Sequence, residues 1–180
     1  MAIIYGQHSG VHLVQEVLAT DELMIVGPAG SRIAKRSGGK LAWLAGERLV
    51  LPSKSHGLRQ LLERTARRRR LRLNVVIEAD SFRSLVDIVE RGVGYSVLPP
   101  SAIVREQAQL RLDAAPLSDP RVVRNLVLAR STDCHPSIAM EAVAALIRLE
   151  VAGVAADGLW NCAKTRQKSA FSANRAQSGI

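Results

Sequence analysis

Residues 48–100 read RLVLPSKSHGLRQLLERTARRRRLRLNVVIEADSFRSLVDIVERGVGYSVLPP, and this stretch decides the fold. Arg48-Leu49-Val50-Leu51 is an apolar run that Pro52 ends, because proline has no N–H to give a central strand. A polar loop, Ser53 to Gly57, follows. Leu58, Leu61, Leu62, Thr65 and Ala66 then recur at the spacing of one buried helical face, so a helix starts near Gly57. It closes in Arg67 to Arg70, with Arg72 beyond, where cations complement the negative end of the helix dipole. Leu73 to Ile77 is the next strand, rich in β-branched residues. Asp80 or Ser81 caps a second helix, whose stripe is Phe82, Leu85, Val86 and Val89 and whose stop is Gly92. Gly94 to Leu98 is a third strand, closed by Pro99 and Pro100. Strands joined through helices of this length imply a parallel sheet covered on both faces, and such sheets bind ligands at the carboxyl ends of their strands.

Outward from this stretch, Leu23-Met24-Ile25-Val26 is an apolar strand broken by Gly27-Pro28, and Leu126 to Ala129 is another, preceded by the turn-forming Ser118-Asp119-Pro120. A last helix follows Pro136 with Ile138, Ala142, Ala145, Leu146 and Leu149 at helical spacing. From Asp157 the periodicity fades into Lys164, Arg166, Lys168 and Arg175 among Ser, Asn, Gln and Gly. A disordered basic tail is one reading of 157–180; a shifted frame or a read-through is another.

Composition narrows the function classes. The 180 residues carry a net charge of +9 and are 47% hydrophobic, enough for a core. No apolar run approaches the roughly 20 residues that cross a bilayer, and MAIIYGQHSG lacks the basic start and long apolar segment of a signal peptide, so a cytoplasmic location is expected. Cys134 and Cys162 share no CxxC or metal spacing and read as reduced thiols, with no metal and no cofactor. The basic excess is local, crowded into Arg67 to Arg72 and the tail, and reads as a solvated helix end rather than a nucleic-acid face. Catalytic motifs are missing. There is no GxSxG, HExxH, P-loop or dinucleotide fingerprint, and His8, His12, His56 and His135 have no nucleophile or carboxylate set beside them by spacing, so an enzyme is not expected.

The strings LVLPSKSHGLRQLLE, LNVVIEADSFRSLVDIVERGVGYSVLPPSAI, RNLVLAR and ELMIVGPAG, in this order and spacing, resemble the effector-binding domain of LysR-type bacterial transcriptional regulators from Ala2 to Val151. The resemblance implies an α/β, periplasmic-binding-protein-like two-lobed fold with a small molecule held between the lobes. It places the effector-binding domain at 1–156, the first lobe at 1–26 and 122–153 and the second at 27–121. The hinges would lie near Val26-Gly27-Pro28 and Val123-Arg124-Asn125. The family's winged helix-turn-helix and the first elements of its effector domain have no counterpart here. The first lobe is therefore expected to be incomplete and the chain a fragment, with DNA reached only through a domain absent from this chain. Effector domains of the family also pair side by side, with part of that surface supplied by the missing half, so a homo-oligomer is one reading and the oligomeric state stays open.

Candidate ligand-binding residues follow. Ser53, Ser55, His56 and Gly57 precede a helix, where hydroxyls and N–H groups can converge on an anionic effector such as a carboxylate; an ordinary N-cap by Ser55 is the competing reading. Tyr5, Gly6 and His8 follow the first strand and by position face the same cleft, against the alternative of packing or surface roles. Tyr95 and Ser96 lie on the strand that, in the family, turns side chains toward the cleft; a buried Tyr95 is the alternative. Two further readings stay open: a free-standing binding protein of periplasmic type, and a remnant that does not fold alone.

Overall fold

In a computed structural model, residues 1–6, 12–31, 33, 39–133 and 135–156 are described. Elements run β1 (Ala2–Tyr5), β2 (Leu13–Glu22), β3 (Met24–Pro28), β4 (Gly39–Lys40), α1 (Leu41–Ala45), β5 (Leu49–Leu51), α2 (Gly57–Arg68), β6 (Val75–Glu78) and α3 (Phe82–Glu90). After these come β7 (Ser96–Leu98), α4 (Val104–Ala108), β8 (Leu112–Asp119), β9 (Val123–Ser131) and α5 (Ile138–Ala156).

The stretch that opened the sequence reading folds as its pattern requires. Strands β5 and β6 pair in parallel, with Val50 opposite Ile77, and Leu49 bridges Tyr95 in parallel on the other side. That bridge joins the pair to the sheet ordered β4-β8-β3-β7. Gly94 makes the join possible: a Cβ there would collide with the carbonyl oxygen of Arg48. Gly92, at φ +74°, ends the helical segment in a conformation that glycine adopts without a Cβ clash. Not all of the sheet is parallel. Strand β3 runs antiparallel to both neighbours, β7 and β8, because it enters from the other lobe.

Helices α2 and α3 pack their stripes onto this sheet. Leu58, Leu62 and Ala66 join one apolar cluster with Ile25, Leu49 and Leu51. Leu85, Val86 and Val89 join a second with Val26, Val50 and Leu98. Each leucine, isoleucine and valine among them contributes about 1.5–3 kcal/mol of burial.

The other lobe is a three-stranded antiparallel sheet, β1-β9-β2, with α5 on one face. Ion pairs pin that helix, Arg148 to Glu16 at 2.8 Å and Arg130 to Glu141 at 2.8 Å.

Two expectations change. Met24, Ile25 and Val26 already pair with β7 and β8, so the first crossover falls at Leu23 rather than after Val26. An apolar run with strands on both sides belongs inside the larger sheet. The second crossover falls at 120–122, and Leu23 N–H donates to Val122 O at 3.0 Å while Leu117 N–H donates to Leu23 O at 2.9 Å, knitting the two together. On α5, the expected stripe faces outward: Ile138 is 92% and Leu149 68% exposed, and Ala144 is the buried residue. The helix is apolar nearly all round, so periodicity alone could not choose its inner face.

Candidate functional site

Three element ends of the first lobe and two of the second meet beside the crossovers. Strand β1 ends in Tyr5 and Gly6, β2 ends near Asp21, and β9 begins with Val123, Arg124 and Asn125. The loop after β5 brings Ser53, Ser55 and His56, and the loop after β6 brings Asp80 and Phe82.

Arg124 is the centre of this group. Arg124 is 8% exposed. Nε and Nη2 both donate to Asp21 Oδ2, at 3.1 and 2.8 Å. Its Cζ lies 3.8 Å from the Tyr5 ring centroid and 6.0 Å from that of Phe82. One cation is thus stacked on the first lobe and turned toward the second, a geometry in which ring faces and a desolvated guanidinium attract. Only six residues of the chain are Phe, Trp or Tyr, and two of them flank this one arginine. His56 continues the line, its ring 5.8 Å from that of Phe82. Gly6 takes φ +85° and its N–H donates to Asn125 O at 2.8 Å, turning the chain away from β1.

The loop before α2 is held from within. His56, not Ser55, is the N-cap: its Nδ1 accepts from Leu58 N–H at 3.1 Å. That leaves the ring proton of the neutral imidazole on Nε2. Ser55 instead meets Ser53, Oγ to Oγ at 3.0 Å. Ser53 N–H donates to Asp80 Oδ1 at 2.9 Å. Together with the Ser53 hydroxyl and the nearby His56, that bond holds the Asp80 carboxyl below its ordinary range, so Asp80 is an anion at neutral pH. Beneath the loop, Arg59, 4% exposed, donates to Pro52 O at 2.9 Å and to Glu78 at 3.0 Å. The loop is therefore rigid, with two hydroxyls and an imidazole N–H on its rim.

The structure brings Tyr5, Gly6, Ser53, Ser55, His56 and Gly57 to this region. His8 lies outside the described residues. Tyr95 sits at the opposite end of β7, edge-on to Trp43 at 5.1 Å between ring centroids and packed over Gly27. Ser96 pairs with Val26 in the ladder and is fully buried beneath α3. Sequence reasoning passed over Arg124 and Asp21 as site residues, since no local spacing links positions so distant along the chain. It named Phe82 and Asp80 as a helix stripe and a cap. The signal that could have found Arg124 is a charge at the start of an apolar strand beside an expected crossover. A cavity of about 30 Å³ between β2, β9 and α5, lined by Glu16, Leu128 and Arg148 among others, holds no more than a water and is separate from this group.

Two α/β lobes joined by a double crossover, with polar and aromatic side chains at the junction, define the periplasmic-binding-protein-like class of small-molecule-binding domains. Residues 1–152 match the family model described as "LysR substrate binding domain", and the chain belongs to that family. Among curated proteins it is similar to the HTH-type transcriptional regulator BbuR of Bordetella bronchiseptica, 25% identical over 160 residues that cover 89% of this chain. The chain spans 49% of the length of that relative. Among solved structures it superimposes on the regulatory domain of Synechocystis CcmR in complex with 2-PG, with a TM-score of 0.72 and 18% identity, covering 83% of this chain and 72% of that one. The effector-binding domain of QuiR in complex with shikimate gives a TM-score of 0.71 and 17% identity, over 84% of this chain and 72% of that one. At these identities the structures establish the fold.

Proposed function

We propose that the junction around Arg124 is the effector site of this domain, that it takes a small anionic molecule, and that its occupancy controls DNA-dependent transcription by a longer cytoplasmic protein whose DNA contacts are made by another domain. The role is sensing rather than catalysis. One observation carries the reading: the nearly buried Arg124, held by Asp21 through Nε and Nη2, lies between the Tyr5 ring of the first lobe and the Phe82 ring of the second. Beyond Phe82 stands the start of α2, with the hydroxyls of Ser53 and Ser55 and the imidazole of His56. A guanidinium at the junction of two lobes, near a helix N-terminus, is suited to a carboxylate or phosphate. Asp80 does not forbid this, since its charge is answered by the Ser53 amide.

The test is a thermal melt of the full chain, alone and with a panel of small carboxylates and phosphates. A ligand that binds only the folded state raises the midpoint. At least one anion is expected to raise it, and Arg124→Met is expected to abolish that rise while keeping a cooperative melt. A rise that survives Arg124→Met would place the site elsewhere. A chain with no cooperative transition would be unable to act as a sensor alone.

A further inference from the structure

Helix α2 is capped by a side chain whose acceptor a proton can remove. The usual caps are Ser, Thr, Asp and Asn, whose oxygens accept at neutral and mildly acid pH alike. Here the cap is His56: its backbone is extended, at φ −72° and ψ 132°, and its Nδ1 accepts from Leu58 N–H at 3.1 Å. Among the described residues no other side chain shares that role. The hydroxyls of Ser53 and Ser55 are bonded to each other, and the first turn of α2 carries no acidic residue. An imidazole nitrogen accepts only while it has no proton, so a proton on Nδ1 sets one donor against another. His56 is half-buried on the rim of the loop, where protons reach it.

The charges around the ring decide where it turns. From the loop before α3, the Asp80 carboxylate is close enough for the charge of His56 to act on it. From α3 comes the uncharged ring of Phe82, at 5.8 Å, with Arg124 of the first lobe 6.0 Å beyond that ring. Lys54, in the same loop, is exposed. On α2, Arg59 is already engaged with Pro52 O, Glu63 and Glu78. The helix dipole opposes a cation at the N-terminus of α2, and of the anions named here Asp80 is the one that no arginine holds. We propose that His56 is a proton-operated switch at the effector site: neutral, it caps α2; protonated, it releases Leu58 N–H and turns to Asp80, and the site then holds anions more tightly. The freed N–H and the added positive charge both favour an anion. A cap is exchanged for an ion pair, so the change is read locally rather than in the melting midpoint. Its second half rests on the reading of the junction as an anion site, and its first half does not.

The experiment is an NMR titration of the ¹⁵N-labelled full chain between about pH 8 and 5, the range in which histidines change charge. The Leu58 amide proton is expected to move upfield as it loses Nδ1, with the same inflection as the His56 ring. In His56→Asn, whose side-chain oxygen caps without titrating, that amide is expected to stay in place. A Leu58 amide that stays put in the native chain, or that moves alike in His56→Asn, would overturn the switch. The second arm is isothermal titration with sulfate, whose charge is constant over this range, at both ends of it. Sulfate is expected to bind the native chain about tenfold more tightly at the acid end, the scale of a hydrogen bond to a charged group, and His56→Asn is expected to lose that ratio. Equal binding at both ends, with a moving Leu58 amide, would overturn the coupling of the switch to the site. No binding of sulfate at either end would count against the anion site and leave the switch of the cap standing.

Discussion

The two lobes are built on different physics. Both large apolar clusters, one around Leu49, Leu51 and Leu62 and the other around Leu85, Leu98 and Ile103, belong to the second lobe and its crossovers. Among the described residues, the first lobe has a thin sheet, exposed apolar residues on β1 and α5, and a set of ion pairs in place of a comparable cluster. Close packing makes the second lobe a rigid platform, and it fixes the loops before α2 and α3. The first lobe presents a strand start and a buried charge pair to that platform. A binding site at the junction of a stiff lobe and a more weakly held one gains from ligand contacts what the weaker lobe lacks in packing.

The largest effect should come from the first lobe's charge pair. Asp21→Ala leaves Arg124 buried and unpaired, and is expected to cost about 3–5 kcal/mol in urea unfolding. Replacing both at once, Asp21→Leu with Arg124→Met, should cost less than Asp21→Ala alone, because no charge is then stranded. A double variant as damaging as the single one would show that packing, not charge, holds this lobe. Next is the second lobe's core. Leu51, fully buried between α2 and the sheet, should cost about 2–5 kcal/mol as Leu51→Ala, with the spread set by how far the site collapses. A loss under about 1 kcal/mol would mean that the platform is looser than its packing implies.

Acid should probe both lobes in the same direction. The hydrogen bond from Arg148 holds the Glu16 carboxyl below its usual 4.5, against a smaller opposing push from burial. Burial pushes Glu106 up, but its own backbone N–H and the guanidiniums of Arg83 and Arg111 more than reverse this, and its pKa too ends below 4.5. Both are carboxylates whose folded pKa is depressed. The stabilisation they give is complete above the unfolded value near 4.5 and fades as pH falls through the folded one. The melting midpoint should therefore be level from pH 7 to about 5 and fall below about 4.5. Glu16→Gln should flatten part of that fall and cost about 0.5 kcal/mol at pH 7, since the pair is half exposed and screened. A flat midpoint down to pH 3 would remove the ion pairs from any role in holding α5.

How much of this was legible in the sequence follows from where the forces are local. Pro52, Gly92 and the stripe Leu85, Val86 and Val89 are each read within one turn or one strand, and the second lobe's elements came from them. The first crossover was misplaced because Met24 to Val26 looks the same whether it ends one sheet or enters another; only the pairing with β7 and β8 decides. Tyr95 illustrates the same limit. An aromatic at a strand start can face a cleft or a core, and its place over Gly27 depends on a strand about 70 residues earlier. Arg124 and Asp21 are brought together by the register of β2 on β9, which no local pattern encodes.

The smallest effect is expected where the comparison is easiest to break. Leu149 on α5 is 68% exposed, so Leu149→Ala removes few contacts within the described chain and should change stability by less than about 0.5 kcal/mol. Leu146, at 60%, lies on the same helix and should behave alike. An exposed leucine loses little when trimmed, because most of its surface is already in water and no cavity is left behind. If Leu149→Ala instead cost 2 kcal/mol or more, roughly the value of a buried leucine, the outer face of α5 would be covered in solution. The same urea titration at two protein concentrations separates the sources of such a cover. A loss that shrinks on dilution belongs to a second copy of the chain, since dilution dissociates the native pair and removes the stabilisation that the variant lacks, and a loss independent of concentration belongs to a segment of the chain itself.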